Sequence, residues 1–128
     1  MNHLPIDTER SQGAVSAELK RLSEGLLLLS ESEAPFEIVA LTHLPPCPED
    51  MEEISLEDVL GYPSTVQPWH TKEEKATVAR FVAFKQAIES NLHNIHVYKT
   101  LQNGLKQVWI IGQSQEGCIG ILTTVVET

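Results

Sequence analysis

The chain ends in LKQVWIIGQSQEGCIGILTTVVET (residues 105–128), in which two β-like runs are separated by a polar turn. The runs cover residues 105–111 and 118–126, and the turn covers residues 113–117. In the second run both alternating sets of side chains are mostly apolar or small, so the strand has no polar face. A strand of this kind is usually covered on both sides, and this requirement decides the fold that we predict.

Two further β-like runs lie upstream of this pair. Residues 97–101 are joined to residues 105–111 by Gln102-Asn103-Gly104, and Asn-Gly is a hairpin signal because both residues tolerate positive φ. Residues 36–41 form another candidate strand. The sequence therefore predicts a sheet that is mainly antiparallel.

Two amphipathic helices are predicted to pack on this sheet. The longer one begins at Thr71, where Thr71 and Glu74 form a capping box, and ends near Leu92. The shorter one starts near Val15, repeats apolar residues at helical spacing, and is ended by Gly25. With one helix on either face of the sheet, the predicted fold class is α/β, a three-layer α/β/α sandwich.

The segment between residues 42 and 69 contains five of the seven prolines, so long regular elements are not expected there. Inside it, Ser55 is a candidate N-cap, Asp58 occupies the third helical position, and Gly61 is a candidate terminator. We predict one short helical turn between these residues and loops on either side of it.

Length and composition indicate one globular domain over residues 1–128. The chain is 41% hydrophobic, which is enough for a packed core, and residues 1–12 are predicted to be a flexible leader. No apolar stretch is long enough to span a membrane, and the sequence begins without a signal-peptide pattern. Its two cysteines suit neither a disulfide framework nor a metal cluster, so we expect a cytoplasmic protein.

The charge balance limits the partners. Nine basic against eighteen acidic residues give a net charge of −9, and phosphate binding requires clustered basic side chains. We therefore expect no direct contact with nucleic acid. A surplus of acid favours encounter with basic protein surfaces instead.

The sequence gives weak support for an enzyme. His93 and His96, if both lie on the end of the long helix, could share a metal ion, but no third ligand is recognisable nearby. Cys47 and Cys118 are more typical of incidental or buried thiols than of nucleophiles. Nucleophile elbows and glycine-rich phosphate loops are missing as well. We predict neither catalysis nor a cofactor.

Two other features are candidates for binding. Ser30-Glu31-Ser32-Glu33 places acidic side chains just before a strand, although such a run is often only a solvated surface. Val125-Val126-Glu127-Thr128 ends the sequence directly out of an apolar strand, although the sheet could simply be complete at that point.

Taken together, these features resemble the nuclease A inhibitor family. The resemblance is carried by LLLLSESEAPFEIV (residues 26–39), PWHTKEEKATVARF (68–81), ESNLHNIHVYK (89–99) and VWIIGQSQEGCIGILTTVVET (108–128). It implies an α/β/α sandwich that inhibits a sugar-nonspecific, magnesium-dependent endonuclease by blocking the active site in a one-to-one complex. It also implies that Glu31 and Thr128 approach the hydrated metal of the nuclease, while Trp69 and Gln67 contact its surface.

The chain departs from the family pattern at two places. Pro68 stands where the family has an aspartate, which removes a polar contact and stiffens the loop, and Leu41–Asp50 is shorter than the corresponding family segment. These departures motivate an alternative function, a binding module of the same fold with a different, non-nuclease partner. A third hypothesis, a metal-dependent hydrolase, rests only on His93 and His96.

Overall fold

A computed structural model describes residues 4–7, 13–29, 33–102 and 104–127 of the chain. In chain order, its helices and strands are α1 Ala14–Ser23, β1 Leu27–Leu29, β2 Glu33–Pro35, β3 Glu37–Leu41, β4 Met51–Ile54, α2 Leu56–Leu60, α3 Lys72–Asn91, β5 His93–Thr100, β6 Gly104–Ser114 and β7 Gly117–Glu127.

Five of the strands form one antiparallel sheet in the order β3-β7-β6-β5-β4. The long hairpin at its centre pairs β6 with β7 from Gly104↔Glu127 to Ser114↔Gly117. Strands β1 and β2 form a separate two-stranded antiparallel ribbon. The predicted α/β class with a mainly antiparallel sheet is therefore confirmed.

One face of the sheet carries the main hydrophobic core. Leu19 of α1, Leu60 of α2 and Phe84 of α3 belong to the same buried cluster as Ile119 and Ile121 of β7. Each of these five side chains is fully buried. Removing the Phe84 ring from such a site would cost about 3–5 kcal/mol of stability.

The opposite face is covered without a helix among the described residues. Its cluster contains Trp109 and Ile111 of β6, with Leu4 and Leu44 contributed by chain segments that have no regular structure. The predicted second helical layer is therefore not confirmed. The physical reason lies in the segment over this face, residues 42–50, where three prolines oppose a helix.

Part of the predicted leader lies against this sheet. Leu4 is buried, Ile6 forms a bridge with Leu41, and the Asp7 N–H donates to the carbonyl of Ala40 at 2.8 Å. Residues 1–3 and 8–12 of the predicted leader lie outside the described residues.

The capping box predicted at Thr71 is present, and the predicted N-cap Ser55 forms a second capping box with Asp58. At α2, the Ser55 hydroxyl accepts from the Asp58 N–H at 3.0 Å, and the Asp58 carboxylate accepts from the Ser55 N–H at 2.9 Å. At α3, the Thr71 hydroxyl accepts from the Glu74 N–H at 3.1 Å, and the Glu74 carboxylate accepts from the Thr71 N–H at 2.9 Å. These reciprocal bonds satisfy amides that a helix start leaves free, so the start of each helix is set locally.

Helix α1 is held differently, by side chains distant in sequence. The Glu116 carboxylate, in the β6–β7 turn, accepts from the N–H groups of Ala14 at 2.7 Å and Val15 at 2.9 Å. At the other end, the Arg80 guanidinium of α3 donates to the carbonyl of Glu24. Gly25 follows with a φ of 78°, the left-handed conformation predicted for the terminator of this helix.

Three short strands were not predicted, and β1 in the two-stranded ribbon is one of them. Strand β2 includes Pro35, in a segment that the prediction assigned to a loop, and β4 lies at the sheet edge within the proline-rich segment. An edge or ribbon position explains all three, because a short strand there is stabilised by pairing with one partner and leaves little periodic pattern.

Candidate functional site

The site residues are best located relative to one end of the sheet. Gly104 and Glu127 pair where β6 begins and β7 ends, and we call this region the Glu127 end. At the opposite end, Ser114 pairs with Gly117 in the β6–β7 turn.

Helix α3 runs along the sheet with its N-terminus toward the Glu127 end. A Cβ placed on Gly112, near the opposite end, would lie 2.9 Å from the Leu92 Cβ, so the helix finishes there. Farther back, the Phe81 ring lies 6.3 Å from the ring of Phe36, next to the Glu37↔Leu122 pair. From Phe81 the helix extends about 15 Å back to its start, at about 1.5 Å per residue. The remainder of β7 past Leu122 covers about 17 Å, at about 3.3 Å per residue. The start of α3 and the end of β7 therefore lie at the same end of the molecule.

The segment immediately before α3 is a tight β-turn. The His70 N–H donates to the Gln67 carbonyl at 3.1 Å, with Pro68 and Trp69 as the two central residues. Pro68 thus occupies the first central position, where its fixed φ suits the common turn types. The stiffening expected from Pro68 therefore has a clear structural basis.

The His70 side chain reinforces this turn. Its Nδ1 atom accepts a hydrogen bond from the backbone N–H of Gln67 at 3.0 Å. The next residue, Thr71, caps α3, so the turn is joined to a rigid helix without an intervening linker. This is how the fold holds Trp69 and Gln67, two of the predicted binding residues.

Trp69 projects into solvent from the turn. Its side chain is 66% exposed, and its ring meets the His70 ring edge-on at a centroid distance of 6.0 Å. Tyr62 and Val66, earlier in the same loop, are also largely exposed. Three exposed large apolar side chains in eight residues are typical of a protein-binding surface, because soluble proteins usually bury such groups.

A cleft of about 240 Å³ opens between this loop and α3. It is lined by Tyr62, Pro63, His70, Glu74, Thr77, Val78 and Phe81. None of these residues is predicted to be functional from the sequence. The nearest signal was the capping box, which indicates where the helix starts but not that a cleft lies beside it.

The other two predicted binding residues, Glu31 and Thr128, lie outside the described residues. The described parts of the ribbon, β1 and β2, both contact β7. Pro35 of β2 lines a groove with Leu122 and Thr124, so the ribbon continues from β3 along β7 in the direction of the Glu127 end.

The Glu74 carboxylate at the start of α3 is stabilised in its ionised form. Hydrogen bonds from the backbone N–H and hydroxyl of Thr71 hold the pKa of Glu74 below its usual range. An ionised carboxylate at a helix N-terminus also interacts favourably with the helix dipole. The junction between the turn and α3 therefore carries a negatively charged carboxylate near neutral pH, and Thr71 holds it in place.

The hypothesis of a histidine pair on a helix is wrong. Helix α3 ends at Asn91, so His93 and His96 both lie in β5, with a register shift between them and Asn94 at a φ of 52°. His96 instead contacts the Glu53 carboxylate at 2.8 Å through Nδ1. Over the described ranges there is no group of three or more histidine, cysteine or acidic side chains that could hold a metal ion.

The thiol of Cys47 is not activated. Burial and the nearby carboxylates of Glu53, Asp50 and Glu52 raise its pKa, so it is protonated near neutral pH. Its Sγ atom lies 3.4 Å from the Met51 carbonyl, in the geometry of a weak hydrogen bond. This environment is the reverse of the electropositive one that a nucleophilic cysteine requires.

Comparison with known proteins shows that the chain is similar to a protein family. Among the described helices, none combines the length and the apolar character needed to cross a membrane. No curated protein matches the chain. The family model described as nuclease A inhibitor-like protein matches residues 42–128, about two thirds of the sequence, including Gln67, Trp69 and Thr128 but not Glu31. This agrees with the prediction of an inhibitor rather than an enzyme, and the chain belongs to the nuclease A inhibitor-like family.

Proposed function

We propose that this protein inhibits a sugar-nonspecific, magnesium-dependent endonuclease by blocking its active site in a one-to-one complex. Trp69 and Gln67 contact the nuclease surface, while Glu31 and the C-terminal Thr128 approach the hydrated metal. The inhibitor itself carries no cofactor and makes no direct contact with nucleic acid. It acts in the cytoplasm, a compartment that suits a chain whose two cysteines, Cys47 and Cys118, form no disulfide.

The observation that carries this proposal is the presentation of Trp69. An exposed indole on a proline-containing turn, fastened directly to a 20-residue helix, is a preorganised anchor. Tryptophan is enriched among the residues that dominate binding energies, and rigidity reduces the entropy lost on association. The family membership supports a nuclease as the partner.

The chemistry of the two oxygen-bearing groups supports the same partner. A nuclease active site binds phosphate oxygens next to a metal ion, so a carboxylate or a terminal threonine can occupy those positions. Because α3 begins at the end of the sheet where β7 finishes, Trp69 and the last residues of the chain are able to engage one surface. The net charge of −9 would accelerate encounter with a cationic groove.

The proposal is tested by titrating the protein against a purified sugar-nonspecific endonuclease, with DNA cleavage as the measurement. We expect a one-to-one endpoint and an association rate that falls between low and high salt. The control is a protein of unrelated fold and the same net charge, which measures inhibition caused by negative charge alone. Inhibition that needs a large molar excess, or that the control reproduces, would contradict the proposal.

The alternative is a binding module of the same fold with a non-nuclease partner. It is favoured by Pro68, which replaces a family aspartate at the centre of the presented turn. Recovery of only non-nuclease partners from the native cell extract, together with no inhibition in the titration, would support this alternative.

A further inference from the structure

The cleft beside Trp69 has a well-supported floor. Val78 and Phe81 of α3 are both buried, with 6% and 4% of their surface exposed. The Phe81 ring is itself held edge-on by Phe36 at 6.3 Å. The bottom of the cleft is therefore formed by two buried side chains, one of which, Phe81, belongs to the main core.

The opposite wall is held by the loop between α2 and α3. The Ser64 hydroxyl donates to the Leu60 carbonyl at 2.6 Å, and the Thr65 hydroxyl donates to the Gly61 carbonyl at 2.7 Å. These bonds fix the chain on both sides of Tyr62 and Pro63, the two residues that face α3. A lysine–glutamate ion pair, Lys85 with Glu57 at 2.8 Å, adds a second connection between the helices.

The cleft is continuous with the Trp69 surface. His70 lines the cleft, and its ring also meets the Trp69 ring at 6.0 Å. A partner surface that contacts the exposed indole and extends across His70 therefore also covers the mouth of the cleft. Binding would trap water in it unless the partner inserts a group of its own.

From this geometry we infer that the cleft receives one bulky apolar side chain of the nuclease, next to the contact made by Trp69. This inference rests on the proposed function. The walls and floor are supplied mainly by the aromatic and aliphatic groups of Tyr62, Pro63, Val78 and Phe81, which favour an apolar occupant. A volume of about 240 Å³ is enough for a single large side chain. Pockets and anchors of this kind commonly pair across an interface.

The test fills the cleft from within. Thr77 lines it and is exposed on α3, so Thr77→Phe places a ring there without altering Trp69 or the turn. We expect Thr77→Phe to weaken inhibition about tenfold or more through faster dissociation, with an unchanged thermal midpoint. Ser90→Phe is the matched control, because Ser90 is an exposed position on the same helix, far from the cleft, and it should inhibit like the wild type.

A second variant, Tyr62→Ala, removes a wall of the cleft at a largely exposed residue and should also weaken inhibition. If Thr77→Phe fails to fold, this variant decides the matter. If Thr77→Phe folds and inhibits like the wild type, the cleft proposal alone is overturned. If Thr77→Phe does not fold, wild-type inhibition by Tyr62→Ala overturns it. Failure of the wild-type protein to bind the nuclease would overturn the proposed function, and the cleft proposal with it.

Discussion

The backbone N–H of Gln67 donates to the Nδ1 atom of His70 at 3.0 Å, across a turn whose two central residues are Pro68 and Trp69. The Nδ1 atom is the acceptor in this bond, so the imidazole closes the turn from its own side chain. This bond, the main-chain bond of the same turn and the α3 cap at Thr71 together determine where the Trp69 indole points.

Replacing Trp69 with alanine should weaken the complex with the nuclease by about 2–4 kcal/mol, the range of an interface hot spot. Stability should barely change, because the indole is exposed and contributes little to the core. Inhibition titrations and thermal unfolding separate the two effects. Ile6→Ala, also at an exposed apolar residue but next to β3, is the control, and an equal loss in both variants would contradict a specific role for Trp69.

Changing His70 tests the turn itself. His70→Ala removes the acceptor for the Gln67 N–H, so we expect faster dissociation from the nuclease as Trp69 loses its fixed position. His70→Asn, whose side-chain oxygen can accept the same bond, should retain more of the affinity. Surface plasmon resonance on both variants measures this difference, and identical dissociation rates would show that the bond does not position the indole.

Deleting Thr128, or extending the chain with a C-terminal tag, should abolish or strongly weaken inhibition because either change displaces the terminal carboxylate. Glu31→Ala should weaken binding by about 1–3 kcal/mol if its carboxylate meets the water shell of the metal. An N-terminal tag is the control. Undiminished inhibition by the Thr128-deleted protein would refute the proposed mechanism while leaving the family assignment intact.

Glu116 should be important for stability rather than for binding. Its carboxylate caps α1 from 102 residues away, so Glu116→Ala leaves the Ala14 and Val15 N–H groups without this partner. We expect a loss of about 1 kcal/mol, within the usual range for N-cap deletions. Urea unfolding measures the loss, and inhibition measured well below the unfolding transition should stay unchanged.

Acid should weaken the start of α3. Hydrogen bonds from Thr71 lower the pKa of Glu74. The contribution of this carboxylate to the stability of the folded protein is therefore complete above the ordinary glutamate pKa, and it is lost as the pH falls through the lower pKa of the folded state. The pKa of Asp58 is lowered by Ser55 in the same way. Thermal midpoints measured from pH 7 to strongly acidic solution should fall less steeply in Glu74→Gln than in the wild type. Parallel curves would show that this cap does not contribute to the acid sensitivity.

Local sequence was enough to predict several elements of the fold. The N-cap at Ser55 and the capping box at Thr71 form as expected, and Gly25 takes the left-handed conformation predicted for it. Each of these features depends on hydrogen bonds or backbone preferences within three or four residues, so its physical cause is contained in a short stretch of sequence. The end of α3 near Leu92 was also predicted correctly. His93 and His96, which follow it, belong to strand β5.

The binding segment was predicted only in part. Trp69 and Gln67 were identified through family resemblance, and Pro68 was expected to stiffen their loop. The bond from the Gln67 N–H to His70 and the cleft at Tyr62 were not predicted, because both depend on how the loop lies against α3.

The sequence by itself determined the three helices and the strands β3, β5, β6 and β7, since periodicity and caps act over a few residues. Only the tertiary structure decided that β3 pairs with β7 across about 80 residues, that Glu116 and Arg80 hold the two ends of α1, and that the start of α3 shares an end with β7. Such long-range contacts depend on the burial of the whole core, which leaves no local signature in any one segment.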